Sequence, residues 1–258
     1  MRPAGEGAAV KPLNRNHLKI VACVSMALDH MGFLLFPHVA ALRWAGRLAM
    51  PLFAFFIGEG CRYTRNRRKY FLSVFLLGLL CQTAYIVDTL IETGYLGKGS
   101  DAWYLDILLA FSVSIPLCYA VTDLKTALAE KDPVKTRKAA LIAAAGFSAF
   151  AAGTALVLYL QRRGWSLHFD YGVWAILLPV SAVLFNRPLY RLLSFAVCTL
   201  LFCVFTREIM PYVWFSLLAP ALLVLYNGKS GSKRLKWAFY AFYPAHLAIL
   251  YLIYLIFF

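Results

Sequence analysis

Long apolar runs recur along almost the whole chain, and basic residues bound most of them. A single soluble domain of this size has too little interior to hide several helices that are apolar on every face. The composition agrees, because 62% of the 258 residues are hydrophobic and only 15% are charged. The sequence therefore predicts an all-α protein, a polytopic bundle of transmembrane helices.

Nine segments come close to the roughly 20 residues that a membrane-spanning helix requires. The predicted spans are residues 18–37, 41–60, 70–91, 102–121, 139–160, 171–185, 189–206, 210–226 and 237–257. The sixth to eighth are short and interrupted by proline, so the expected count is about nine, within a range of about eight to ten. We expect one integral-membrane domain over 18–258, preceded by a polar tail at 1–17.

The positions of the basic residues predict the orientation. If the N-terminus is cytoplasmic, 20 of the 26 Lys and Arg residues fall on the inside, in segments 1–19, 61–70, 122–138, 186–191 and 227–236. Cytoplasmic segments of membrane proteins carry such an excess. The net charge of +14 is explained in this way, and no nucleic-acid partner is expected.

The segment VACVSMALDHMGF at 21–33 places Asp29 and His30 inside an apolar run. On an ideal helix Lys19 shares the face of His30 within about 20° and lies about 16 Å nearer the cytoplasm. Ionisable groups near mid-membrane are costly and usually face a polar cavity or a partner. We interpret His30 as a functional group; a helix–helix hydrogen bond is the alternative.

Further polar residues fall within or beside later spans. Arg47 lies in the outer half of the second span, where a structural ion pair with Asp29 is the alternative to a functional role, and Glu59 lies near the inner end. Three residues on the outer side are candidates for substrate binding: Asp106, Asp170 and Tyr171. For Tyr171 the alternative is an interfacial aromatic belt.

The last span brings His246 to a depth similar to that of His30, with Tyr243 and Pro244 beside it. Two histidines near carboxylates at mid-membrane suit proton transfer at neutral pH. The six cysteines form no Cys-x-x-Cys pair, and no metal site is predicted. The sequence also lacks the GxSxG, HExxH, GxGxxG and P-loop motifs.

Four blocks resemble a known family: LKIVACVSMALDHMGFLLFP, RLAMPLFAFFIGEGCRYTRN, FDYGVWAILLPV and FYAFYPAHLAIL. In this order they resemble the TraX family, membrane proteins linked to N-terminal acetylation of F-pilin. That family is similar to transmembrane acyltransferases of the acyltransferase-3 type, in which Arg or Lys precedes a histidine by the spacing of Lys19 and His30. The resemblance implies a multi-pass protein of the bacterial cytoplasmic (inner) membrane.

The resemblance also implies an acetyl-CoA-dependent acyltransferase that modifies a peptide amine or an envelope molecule. His30 would be the catalytic base. The residues that would orient it or stabilise the developing negative charge are Asp29, His246, Arg47 and Tyr243. The residues expected at the acyl-CoA end are Lys19, Arg65, Arg67, Arg68 and Glu59.

Two other classes of function fit the same residues. A proton-coupled transporter or flippase also uses ionisable groups at mid-membrane and helices broken by proline. A non-catalytic assembly protein needs no histidines at that depth. Turnover of acetyl-CoA by the purified protein distinguishes the acyltransferase from both.

Labelling of single cysteines in a cysteine-free background tests the predicted orientation. Because Lys98 lies in a predicted outer segment, a membrane-impermeant thiol reagent is expected to label Lys98→Cys in intact cells. A cysteine at Arg234, on the predicted inner side, is the control and is expected to react only after permeabilisation. The reverse pattern would overturn the orientation.

Overall fold

Helices dominate the computed structural model, which describes residues 11–208, 211–232 and 234–257. The α-helices in these ranges are α1 (Arg15–Leu34), α2 (Ala40–Gly46), α3 (Ala49–Tyr63), α4 (Arg67–Thr93), α5 (Ile107–Glu130), α6 (Pro133–Arg162), α7 (Val173–Ser181), α8 (Pro188–Thr206), α9 (Leu218–Val224) and α10 (Leu235–Phe257). Short 3₁₀ helices cover Asp101–Trp103 and Val213–Leu217, and the strands are β1 (Tyr104–Leu105) and β2 (His168–Phe169).

Seven helical stretches among the described residues are long and apolar enough to cross a membrane. They are Arg15–Leu34, Ala40–Tyr63, Arg67–Thr93, Ile107–Glu130, Pro133–Arg162, Pro188–Thr206 and Trp237–Phe257. The predicted sixth and eighth spans correspond to shorter apolar segments, Val173–Ser181 and Val213–Val224. The all-helical membrane architecture is thus confirmed, whereas the count of nine and the cytoplasmic N-terminus stay predictions.

The segment at 122–138, predicted to be cytoplasmic, is helical on both sides of a short turn. Helix α5 continues to Glu130, Lys131 ends it in the left-handed conformation at φ 56°, and Asp132 caps α6. Asp132 accepts from two backbone N–H groups of the first turn, and Pro133 follows at the position where a missing N–H costs least. The two helices therefore form a tight hairpin. The first ten residues of the predicted tail at 1–17 lie outside the described residues.

The described residues fall into two compact units. The first contains the chain up to Phe53 and from Thr199 onward, and the second is Ala54–Cys198. In the first unit α1 packs against α2 and α10. In the second unit α5 packs against α4, α6 and α7.

Two glycines bring α1 and α2 close together. A Cβ at Gly32 would lie 2.8 Å from Leu42 Cβ, and a Cβ at Gly46 would overlap both the backbone and the side chain of Asp29. Small residues at helix crossings in membranes allow this close backbone approach. The end of α2 is therefore seated directly on Asp29.

Polar side chains fix the connections of the second unit. Gln82 of α4 donates to the carbonyls of Ala102 and Tyr104 and accepts from the backbone N–H of Asp106. The paired strands β1 and β2 join this connection to the one that precedes α7. A buried amide that uses both its donor and its acceptor fixes the loop it spans.

Candidate functional site

Asp29 is buried in α1 and binds two arginines of the α2 region. Arg47 Nη2 donates to Asp29 Oδ1, and Arg43 Nη1 lies 3.0 Å from Asp29 Oδ2 and 3.0 Å from the Asp29 carbonyl. Ser216 Oγ donates to the Arg47 carbonyl at 3.0 Å. The ion pair between Asp29 and Arg47, one of the two alternatives for these residues, is confirmed. One carboxylate is shared by two guanidinium groups, so this cluster has a net positive charge.

His30 and His246 meet within the first unit. His30 Nδ1 and His246 Nε2 are 2.8 Å apart, and the ring planes are inclined by 25° with centroids 5.0 Å apart. His246 is 6% exposed and His30 is half-buried. The sequence predicted a similar depth for the two rings, and the structure places them in direct contact.

The hydrogen bonds assign the protons of the two rings when both are neutral. A carbonyl only accepts, so His246 Nδ1, which lies 2.9 Å from the Phe242 carbonyl, must carry the proton. Nε2 of His246 is then the acceptor, and His30 Nδ1 donates to it. The remaining nitrogen, His30 Nε2, carries a lone pair and has the character of a general base.

Aromatic side chains of α10 fix the plane of His246. The Phe242 ring stacks on it at 4.9 Å with an interplanar angle of 3°, and the Tyr243 ring meets it edge-on at 5.9 Å. The proline of the same helix turn, Pro244, provides no backbone N–H. The imidazole is thus held between two rings and by hydrogen bonds to Phe242 and His30.

Lys19 belongs to the same unit as the histidines. Its Nζ lies 5.3 Å from the centroid of the Phe239 ring, which extends the contact between α1 and α10 toward the start of α1. The predicted role of Lys19 in binding acyl-CoA stays a prediction.

The other residues expected at the acyl-CoA end lie in the second unit. Arg67 forms a two-pronged ion pair with Asp123 at 2.7 and 2.6 Å, and both side chains are half exposed. Glu59 is 1% exposed, and its Oε1 lies 3.6 Å from Arg191 Nη1. The remaining two, Arg65 and Arg68, are exposed. Their binding roles stay predictions.

The three outer candidates have structural contacts of their own. Asp106 is the N-cap of α5 and accepts from the backbone N–H of Leu108. Asp170 accepts from the Tyr104 hydroxyl, whose pKa is raised above its ordinary value, first by burial and then by this carboxylate. Tyr171 has a backbone φ of 57°, a conformation that residues other than glycine seldom adopt. Their predicted role in substrate binding stays a prediction.

Two contributors to the site were missed by sequence reasoning. Arg43 stands one helical turn before Arg47, and that spacing of four was the available signal. No sequence pattern around Ser216 indicates its contact with Arg47, because the two residues lie far apart along the chain. Within the described ranges no cluster of three His, Cys, Asp or Glu side chains is placed to hold a metal ion.

Comparison with known proteins gives the family. The chain matches the sequence pattern of the TraX protein over residues 14–254. The chain belongs to the TraX family. The matched residues include the paired histidines and the cluster around Asp29.

Two curated relatives of this TraX family member match shorter stretches. "Probable fimbrial assembly protein FimC, serogroup H1" of Dichelobacter nodosus is 36% identical over 72 residues, 26% of this chain and 30% of the relative. "Uncharacterized protein RP591" of Rickettsia prowazekii is 46% identical over 41 residues, 16% of each chain. The matches therefore span less than a third of either relative. No solved structure matches the chain significantly.

Replacement of Asp29 tests the energetic importance of the shared carboxylate. Asp29→Asn removes the charge that balances Arg43 and Arg47, and breaking such a buried pair costs about 3–5 kcal/mol of unfolding free energy. The matched control is Asp123→Asn in the exposed pair with Arg67, where about 1 kcal/mol or less is expected. Equilibrium unfolding in detergent measures both, and equal losses would contradict the assignment.

Proposed function

We propose that this TraX family member is an acyltransferase of the bacterial inner membrane that transfers an acetyl group from acetyl-CoA to an amine or hydroxyl. The observation that carries the proposal is the hydrogen-bonded series from the Phe242 carbonyl through His246 to His30. It gives His30 a fixed orientation and leaves a lone pair on its Nε2, and a general base requires both.

The reaction follows from that nitrogen. His30 Nε2 accepts a proton from the acceptor amine or hydroxyl as the nitrogen or oxygen attacks the thioester carbonyl carbon. The carbon–sulfur bond then breaks, and the departing CoA sulfur takes the proton from His30. The products are the acetylated acceptor and free CoA, and both histidines return to their starting protonation.

Other residues of the unit have supporting roles in this proposal. Nε2 of His246 accepts a hydrogen bond from Nδ1–H of His30 and so stabilises the imidazolium that forms on His30 during attack. Arg47 is buried and engaged by Asp29, so its role is to support the helix contact rather than to meet the substrate. Tyr243, edge-on to His246, is the candidate donor to the developing oxyanion. Lys19 is assigned to the phosphates of the donor.

The acceptor is proposed from the relatives. The relative from Dichelobacter nodosus is named a probable fimbrial assembly protein. Together with the TraX membership of this chain, that name supports a role in pilus assembly, with the amino terminus of a pilin-like subunit as the acceptor.

Transfer of radiolabelled acetyl from acetyl-CoA to a peptide with a free amino terminus tests the proposal. His30→Ala is expected to lower turnover by about 10²–10⁴-fold, because the general base is lost. His246→Gln keeps both an acceptor for His30 and a donor for the Phe242 carbonyl, so it should retain more activity than His246→Leu. His38→Ala, at an exposed position, is the control and should be unaffected.

Two results would contradict the proposal. One is a wild-type protein that transfers no acetyl group and hydrolyses no acetyl-CoA but moves a solute across proteoliposomes, which would favour the transporter. The other is a His30→Ala protein that unfolds at lower temperature yet keeps normal turnover per folded molecule. That result would make His30 a packing residue.

A further inference from the structure

Three basic segments of the second unit converge in the structure. Lys125 Nζ of α5 donates to the Val183 carbonyl at 2.6 Å, and Arg62 Nη1 of α3 donates to the Phe185 carbonyl at 3.3 Å. The two carbonyls are two residues apart in the segment that follows α7. The guanidinium of Arg62 and the ammonium of Lys125 are therefore neighbours.

Arg191 of α8 lies beside Arg62 because it contacts two residues of the same helix, α3. It pairs with Glu59, which stands three residues before Arg62 and so lies on the same face of that helix. Its guanidinium also lies 5.2 Å from the centroid of the Phe55 ring. Arg62, Lys125 and Arg191 together form what we call the basic cluster.

The basic cluster has more positive charge than its partners balance. The cluster contains three cations and one carboxylate, that of Glu59, which pairs with Arg191, while the Val183 and Phe185 carbonyls bound by Lys125 and Arg62 are neutral. The Arg191 side chain is only 12% exposed, and Arg62 and Lys125 are half-buried. Cations held out of water without matching anions are costly, and an added anion relieves that cost.

The neighbouring charges differ in this respect. Arg67 is matched by Asp123, and Lys135 is matched by Glu130. An excess of basic residues is expected on the cytoplasmic side of any membrane protein, but that tendency does not require three separate segments to meet. Unlike these matched pairs, the basic cluster keeps an excess of positive charge.

We propose that the basic cluster binds a phosphate group. A phosphomonoester has a charge of about −1.5 to −2 at neutral pH, which matches the excess of two positive charges. Arginine side chains bind phosphate oxygens through paired donors, and lysine adds a compact charge. The proposal goes beyond acetyl transfer and does not depend on His30. It assigns residues other than Arg65, Arg67 and Arg68.

Two sources supply such a group, a soluble phosphate ester and the headgroup of an anionic lipid. For the first, titration calorimetry of the full-length protein in neutral detergent measures the affinity for adenosine 3′,5′-bisphosphate. For the second, the rate at which a water-soluble reagent acylates Lys125 is compared between protein in nanodiscs of phosphatidylcholine and protein in nanodiscs containing phosphatidic acid, a lipid whose headgroup is a phosphomonoester. Binding in the first arm that is lost in the variant described next, or slower acylation of Lys125 in the second arm, supports the site and identifies the source.

The test variant is Arg62→Gln with Lys125→Gln, which leaves the pair between Arg191 and Glu59 in place. Loss of charged hydrogen bonds is expected to weaken binding by at least about tenfold. The control is Lys135→Gln with Arg137→Gln, an equal change of charge at exposed positions of α6. An equal loss in the control, or no loss in the test variant, would overturn the proposal.

A second measurement needs no variant. Acylation of lysines by a water-soluble reagent, read by mass spectrometry on the wild-type protein, should show slower modification of Lys125 in the presence of the binding phosphate compound. Lys135 is exposed and should react at an unchanged rate. Equal reactivity of Lys125 with and without both phosphate sources would also overturn the proposal. His30→Ala is expected to bind phosphate normally, so failure of the transfer reaction is distinguishable.

Discussion

The carboxylate of Asp29, shared between two arginines, is the interaction on which the first unit depends. Gly46 lets the end of α2 reach this carboxylate, and the ion pairs then fix the rotation of α1 about its axis. Successive helical residues are about 100° apart, so directing Asp29 toward α2 directs His30 toward a different neighbour. That neighbour is α10, which carries His246. The adjacent acid and imidazole thus serve two different helix contacts.

The contact between His30 and His246 determines which ring nitrogens carry protons. Each bond in the series has a defined donor and acceptor, and the series begins at a backbone carbonyl whose position the helix determines. A series of hydrogen bonds in which every N–H group has an acceptor is held in one arrangement. A base with a fixed orientation is a consequence of that arrangement. In the second unit the basic cluster differs, because its charges exceed those of its partner.

Sequence reasoning reached what depends on length, hydropathy and helix period. It predicted the helical membrane architecture, the contact between Asp29 and Arg47 as one of two alternatives, and a similar depth for His30 and His246. It could not decide which histidine nitrogens meet, because that depends on the rotation of α10 against α1. It also could not foresee the pairing of Arg191 with Glu59, since the two are distant in the chain and their helices follow no shared pattern.

The most direct test is nitrogen-15 NMR of the protein labelled at histidine, with His30 and His246 assigned by single substitution. The account predicts that at neutral pH both rings carry their proton on Nδ1. It also predicts a coupling through the hydrogen bond between His30 Nδ1 and His246 Nε2. A His30 ring protonated on Nε2, or two rings without coupling, would contradict the assignment of His30 Nε2 as the base.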